Sequence, residues 1–318
     1  MNAPRQSGYS MVELMVAIAV GLFLTAGIVQ IFVANKQTYR AADASARIQE
    51  NARFALEILA RDIRMAGYLG CAATALEIDN NLSDTSSFLY DLETAAGGFE
   101  STSSTGWTPS LDASITSALG GSDVMAIRGV FPNQVAVTGT CPAATLVVGN
   151  AGGLTQGDIA IVGNCGAATI FQITGLSGTT VAHATGGSSP GNADANLAAC
   201  FAGNGALGRL STRAFYIRAN PAGVPSLYRT DISGTNTATV ELVEGIENMQ
   251  VLYGVDTGGG DPVSANQYVP ANSVADWDDV VSVRIELTLQ SVEDRVTTDG
   301  QPLERTFTTT LGLRNRLP

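Results

Sequence analysis

The sequence predicts an α+β protein in which one long amino-terminal helix precedes a β-rich domain. Three observations carry this. From Leu14 to Ala34 the chain is apolar except for Thr25 and Gln30. From Asn35 to Met65 it holds neither Pro nor Gly, and Ile48, Ala52, Ala55, Leu59 and Ile63 recur at spacings of three and four, the period of one helix face. In VVSVRIELTLQS (280–291), Val281, Val283, Ile285, Leu287 and Leu289 alternate with Ser282, Arg284, Glu286, Thr288 and Gln290, the pattern of a half-buried antiparallel strand. A helix followed by a run of strands points to the α+β class, with the helix stripe covering one sheet face.

The first element is long enough to cross a membrane, since a hydrocarbon core of about 30 Å needs roughly 20 helical residues. It is too long for a secretory h-region of about 7–15 residues. Beyond Ala34 the stripe continues, with Asp43, Arg47, Glu50, Arg53, Glu57, Arg61 and Arg64 spread over the other faces. Gly67 is a suitable stop. One helix from Tyr9 to about Ala66 would reach about 87 Å at 1.5 Å per residue. Its first half would sit in lipid, and its second half would present the stripe to a globular domain.

The remainder divides by pattern. Residues 71–140 are rich in Ser, Thr, Gly and Asp and predict loops with short strands, among which DVMAIRGV (123–130) alternates. TLVV (145–148) and IAIV (159–162) predict a hairpin, FQITGL (171–176) a strand, and 184–208 a long irregular connection. STRAFYIRAN (211–220) and SLYRTDI (226–232) are strand-like. ENMQVLYGVD (247–256) alternates at Met249, Val251, Tyr253 and Val255, and the chain ends with TFTTTLGLRNRLP (306–318), read as another strand.

Composition excludes several functions. Charged residues are 14% of the 318, and 17 Lys+Arg against 29 Asp+Glu give a net charge of −12, which argues against a protein that coats nucleic acid through its phosphates. One histidine, His183, leaves no partner for a two-His metal site. Cys71, Cys141, Cys165 and Cys200 form no CxxC, so neither zinc nor a thioredoxin-like site is indicated. In an exported domain they suggest two disulfides, and three pairings are open; the alternative is free, buried thiols. The expected 145–162 hairpin favours Cys141 with Cys165, which would flank its open end.

Glu13 is the unusual residue. A carboxylate in a membrane segment costs about 2.5–3.5 kcal/mol at the helix centre, less near the end, and it favours a partner. The stretch Ser7-Gly8-Tyr9-Ser10-Met11-Val12-Glu13-Leu14 resembles the type IV prepilin signal. In that family a short basic leader ends in Gly, an aromatic residue begins the mature chain, and the fifth mature residue is Glu. Gly8, Tyr9 and Glu13 occupy those places, with Arg5 in the leader; Tyr9 replaces the usual Phe and Ser10 the common Thr. The resemblance implies a leader of residues 1–8, cleavage after Gly8 by a prepilin peptidase, and N-methylation of Tyr9. It also implies a membrane half of the helix over 9–34, a periplasmic half over 35–66, and a globular pilin domain over 67–318. Cleavage would create an α-amine four residues from Glu13, its own or a neighbour's in a filament. Lys36, Arg40, Arg47 and Arg53 after the span outnumber Arg5 before it, and the charge rule favours the opposite orientation. Long domains translocate regardless of such charge, and disulfides require export, so the amino end is placed inside.

The carboxyl third resembles the PilW family of minor pilins through Met249-Gln250-Val251-Leu252-Tyr253-Gly254-Val255-Asp256, Val274-Ala275-Asp276-Trp277 leading into Val280–Leu289, and Leu313-Arg314-Asn315-Arg316. Ile63-Arg64-Met65-Ala66-Gly67-Tyr68 fits too. This implies a pilin-like fold and a structural, non-enzymatic, cofactor-free protein of the inner membrane and then the pilus tip. There it would work with other minor pilins, the major pilin and a PilY-type tip adhesin. A GspJ-like minor pseudopilin of type II secretion shares the layout and is the second reading; a membrane-anchored periplasmic binding module is the third.

Other motifs weigh little. Gly203-Asn204-Gly205-Ala206-Leu207-Gly208 fits GxGxxG but follows a loop and leads into a strand, the wrong context for a dinucleotide. Gly187-Ser188-Ser189-Pro190-Gly191 fits G-x-S-x-G, but Ser189 lies in low-complexity loop with His183 as the sole candidate base. Asp256 and Asp261, in the turn Gly254–Asp261, are a weak calcium candidate that falls short of a D-x-D-x-D-G loop; a plain glycine turn is the simpler reading. Asp276, Asp278 and Asp279 surround Trp277, which is expected to pack a sheet edge while the acids are solvated.

Overall fold

In a computed structural model of the chain, the apolar run and the amphipathic run form one helix, α1 (Met11–Arg64). The structure describes residues 10–71, 78–85, 87–92, 94–139, 144–258, 263–293, 296–297 and 299–316. The chain divides into two compact units. One contains the sequence up to Gln49 together with Ser291–Glu304; the other contains Glu50–Gln290 with Arg305–Pro318.

Among the described residues sixteen strands follow α1. They are β1 (Ile78–Asn80), β2 (Ala96–Ser101), β3 (Trp107–Thr108), β4 (Val124–Ala136), β5 (Thr145–Val147), β6 (Ile159–Gly163), β7 (Ala168–Gln172) and β8 (Gly175–Ser177). Then come β9 (Thr180–Ala182), β10 (Ala206–Ala219), β11 (Pro225–Ser233), β12 (Asn236–Glu244), β13 (Ile246–Val255), β14 (Gln267–Val269), β15 (Val280–Gln290) and β16 (Glu304–Gly312). They form three sheets. The largest runs β1-β7-β6-β10-β4-β2-β3, with β11 and β12 continuing from β10; a second runs β14-β13-β15-β16 and a small third β5-β9-β8. The α+β class is as predicted.

The stripe Ile48, Ala52, Ala55, Leu59, Ile63 is buried throughout. The carboxyl end of α1 is fixed to β4. Gly67, at φ 72°, turns the chain out of the helix in the left-handed region that Gly alone enters without strain. Its N–H donates to the Arg128 carbonyl at 2.7 Å, the Val130 N–H donates to the Tyr68 carbonyl at 2.8 Å, and the Asn315 amide caps the Ala66 carbonyl at 2.9 Å. A Cβ at Gly129 would stand 3.1 Å from the Met65 carbonyl oxygen, so the missing side chain allows this approach.

One turn earlier, Asp62 is 5% exposed. Its two oxygens accept from Arg213 and from Arg229, each at 3.1 Å. Both guanidiniums also bond Asp231, at 2.7 and 3.0 Å. The register explains the arrangement: Arg213 lies opposite Asp231 across β10–β11, and Arg229 is two residues from Asp231 on the same strand face. Arg213 further stacks over Phe131 at 3.8 Å. Burial pulls the Arg213 pKa down, against Asp231 and Asp62, which hold it up. Arg128, 2% exposed, has its pKa lowered to about 10 by burial and donates to the Phe88 and Ala96 carbonyls, organising the loop before β2.

Several strand expectations hold. Met249, Val251, Tyr253 and Val255 are buried in β13, and Val281, Val283, Ile285, Leu287 and Leu289 in β15. Others are corrected. TLVV and IAIV form no hairpin: β5 pairs β9, whereas β6 pairs β7 and β10. All five residues of β6 are buried, and such an apolar strand takes neighbours on both edges. The tight turn into β7 is made by Asn164, whose Oδ1 accepts from the Gly166 and Ala167 amides. Strand β4 continues past Gly129 and Val130 through Pro132; the register jumps from Val130 opposite Leu210 to Gln134 opposite Gly208, and this bulge absorbs the proline. The expected Cys141–Cys165 pairing is also overturned, because Cys165 is bonded to Cys71, with Cα atoms 4.7 Å apart. Cys165 sits in the β6–β7 turn, away from the hairpin that the pairing assumed.

Two measurements follow. In full-length protein in detergent, Asp62→Ala is expected to cost about 3–5 kcal/mol by chemical denaturation, since it leaves two cations facing one acid; a loss below about 1 kcal/mol would mean that water already screens the cluster. Non-reducing peptide mapping should return a Cys71–Cys165 peptide. Cys71→Ser should destabilise by about 4–5 kcal/mol, the chain-entropy figure for a loop near 100 residues.

Candidate assembly and processing site

The amino terminus of α1 carries the sequence-predicted site. Ser10 stands before the first helical residue, and its Oγ accepts from the Val12 N–H at 3.3 Å. The Glu13 carboxylate reaches back and accepts from the Ser10 N–H at 3.2 Å. This is a capping-box variant, in which the hydroxyl takes the N2 amide rather than the N3 amide, and it places the acid where the helix dipole favours negative charge. The S-x-x-E spacing, visible in the sequence, is the signal for this contact, which turns Glu13 toward the amino end of its own chain. Gly8 and Tyr9 lie outside the described residues.

From Met11 to Val33 the large apolar side chains are exposed, and the segment is long and apolar enough to cross a membrane. Its Thr25 hydroxyl donates to the Gly21 carbonyl at 2.8 Å, which satisfies a polar group that lipid could not. A Cβ at Gly21 or Gly27 would meet nothing within 4 Å.

The remaining candidates separate. Cys71 and Cys165 form one disulfide, Cys200 is also disulfide-bonded, and Cys141 lies outside the described residues. Asp256 accepts from the Gly258 and Ser264 amides at 3.0 and 3.2 Å, so both its oxygens order the turn; Asp261 lies outside the described residues. Among the described residues no group of His, Cys, Asp or Glu is placed to hold a metal. Ser189 is exposed, whereas His183 is buried against Phe171, with its pKa lowered by burial. The GxGxxG run enters β10. Trp277 packs edge-on against Tyr253 at 4.8 Å. Asp276 caps the turn by accepting from the Asp278 N–H, and Asp278 pairs with Arg316.

A buried acid cluster escaped sequence reasoning. Asp123, 3% exposed, accepts from the Ser101 N–H of the large sheet and the Val251 N–H of the second sheet, both at 2.9 Å. Glu100 lies near it with Oε2 buried and unpartnered, and the Tyr253 hydroxyl beside them donates to the Gly97 carbonyl at 3.2 Å. A Cβ at Gly98 would overlap that hydroxyl. Burial raises the pKa of both carboxyls, and Asp123 raises that of Glu100 further.

Two family models match. The prokaryotic N-terminal methylation motif covers residues 3–29, and PilW, the Type IV Pilus-assembly protein W, covers residues 214–315. No curated protein and no solved structure matches. The two matches support a PilW-type, type IV pilus-related pilin with a prepilin signal.

The acid cluster gives a pH prediction. A carboxyl whose pKa is higher folded than unfolded stabilises the fold fully below the unfolded value and loses that contribution as pH rises through the folded one. Glu100→Gln should therefore be more stable than the parent at neutral pH, and the gap should close toward about pH 4. Thermal melts across that range test this; a gap independent of pH would count against the cluster.

Proposed function

We propose that the chain is a minor pilin that takes part in priming type IV pilus assembly, within a tip complex of minor pilins. The carrying observation is Glu13. It is the sole carboxylate in the run from Met11 to Ala34, and it faces back onto Ser10, next to the place where cleavage between Gly8 and Tyr9 would create a cation. Residues 1–8 are the leader, and N-methylated Tyr9 begins the mature chain. Residues 9–34 hold the subunit in the inner membrane, and 35–66 with 67–318 form its periplasmic part. The disulfides support export. The prepilin peptidase processes the chain; other minor pilins, the major pilin and a PilY-type adhesin are its partners. On extraction Glu13 exchanges the Ser10 amide for the amine of a neighbour, which sets axial register. The PilW match favours the pilus over a GspJ-like role in secretion.

In the native host, Glu13→Ala should still yield a chain beginning at Tyr9 by mass spectrometry, while its amount in sheared filaments falls several-fold. Normal incorporation would defeat the mechanism. Gene deletion should abolish surface pili and twitching; loss of exoprotein release instead would point to secretion.

A further inference from the structure

The connection between β15 and β16 belongs to the same compact unit as the first part of α1. Its base is closed by the Ser291 N–H on the Leu303 carbonyl at 2.8 Å and the Leu303 N–H on Ser291 Oγ at 2.9 Å. Its tip is closed by the Val296 and Thr297 amides on the Gln301 carbonyl at 3.2 and 3.1 Å, and by Gly300, at φ 79°, on the Thr297 carbonyl. The tip rests on the helix: the Gln37 amide donates to the Thr297 carbonyl at 3.2 Å, and Val296 is 2% exposed.

An open cavity of about 410 Å³ lies here, lined by Ala34, Gln37, Thr38 and Ala41 of α1 and by Val296, Thr297 and Leu303. Its polar groups are occupied, Gln37 by Thr297 and the Thr38 hydroxyl by the Ala34 carbonyl, so the walls suit an apolar occupant. Ala34 is also the last residue of the apolar run. Gln37 lies three residues on, about 4.5 Å along the axis, and the headgroup layer extends about 5–7 Å beyond the hydrocarbon. The Ala34 end of the cavity thus opens onto the lipid-facing surface, while Ala41, about 10.5 Å along the axis, closes its far end. Lys36 and Arg40, both exposed, fall on other faces of the same turns and suit lipid phosphates.

We propose that this unit is a lipid-binding collar. The hairpin tip lies in the headgroup layer, and the cavity takes the upper methylenes of one phospholipid acyl chain. The collar fixes the depth at which the subunit waits, and extraction must empty it. The inference rests on the membrane-anchor reading above.

The test uses the full-length chain in phospholipid vesicles, with a dye on introduced cysteines; no free thiol competes among the described residues. Asp299→Cys should be quenched several-fold more by headgroup-nitroxide lipid than Gln49→Cys, which lies about 22 Å beyond Ala34 on the helix. Ala17→Cys should be quenched by mid-chain nitroxide. If Ala17→Cys is quenched and Asp299→Cys matches Gln49→Cys, the collar is overturned while the anchor stands. If Ala17→Cys is not quenched, the anchor falls and the collar with it. A phospholipid with a photoreactive acyl chain should label the 296–303 peptide, and Ala41→Leu, which narrows the cavity, should cut that labelling several-fold without changing the Asp299→Cys signal. Labelling unaffected by Ala41→Leu, or a cross-link to the apolar helix of a second copy in place of lipid, would overturn the acyl-chain assignment.

Discussion

The second unit depends on a charge on a helix. Asp62 sits on the buried stripe of α1 beside Leu59 and Ile63, where a carboxylate alone would be costly. Arg213 and Arg229 meet it from adjacent strands, and Asp231 completes a square of alternating charge. The square requires the β10–β11 register, because a slip of one residue would send Arg213 to the opposite face. Helix rotation, strand register and the position of the hairpin are therefore fixed together. Apolar packing of Ala52, Ala55 and Leu59 supplies adhesion but little direction; the charges supply direction.

Legibility followed periodicity. The stripe of α1 and the alternation of β13 and β15 were readable because each element buries one face and leaves the other in water. Strand β12 was not readable. It is an edge strand with Thr237, Ala238, Thr239, Val240 and Glu241 all exposed, so no burial pattern marks it, and pairing with β11 alone creates it. The false hairpin failed for the opposite reason. IAIV is buried on both faces and carries no facial information, and sequence proximity wrongly stood in for a partner that lies in β10. The disulfide error was inherited from that hairpin.

The candidate site was legible at the level of motif and less so at the level of bonds. Glu13, its spacing from Gly8 and the S-x-x-E pattern all stand in the sequence, and the conformation adds the bond itself, from the Ser10 amide to the carboxylate. Exchange of one donor for another costs less than exposure of a bare acid. The capping arrangement thus keeps the carboxylate satisfied within its own chain. The acid pair Glu100 and Asp123 was invisible because Glu100 lies at the end of β2 and Asp123 precedes β4, far apart in sequence, and only the pairing of β2 with β4 brings them together.

The Cys71–Cys165 bond would acquire a further meaning under the proposed extraction, in which the molecule is pulled by its helix. A load applied to α1 reaches the sheet first through the seam at Gly67 and the Asp62 square, which are arranged to resist sliding. Should the seam yield, only the short run from Arg64 to Cys71 can pay out, about 24 Å when fully extended. The tension would then pass through sulfur into the β6–β7 turn and so into the largest sheet. The disulfide acts as a safety line with little slack, so that a failed contact leaves the domain tethered rather than unravelled.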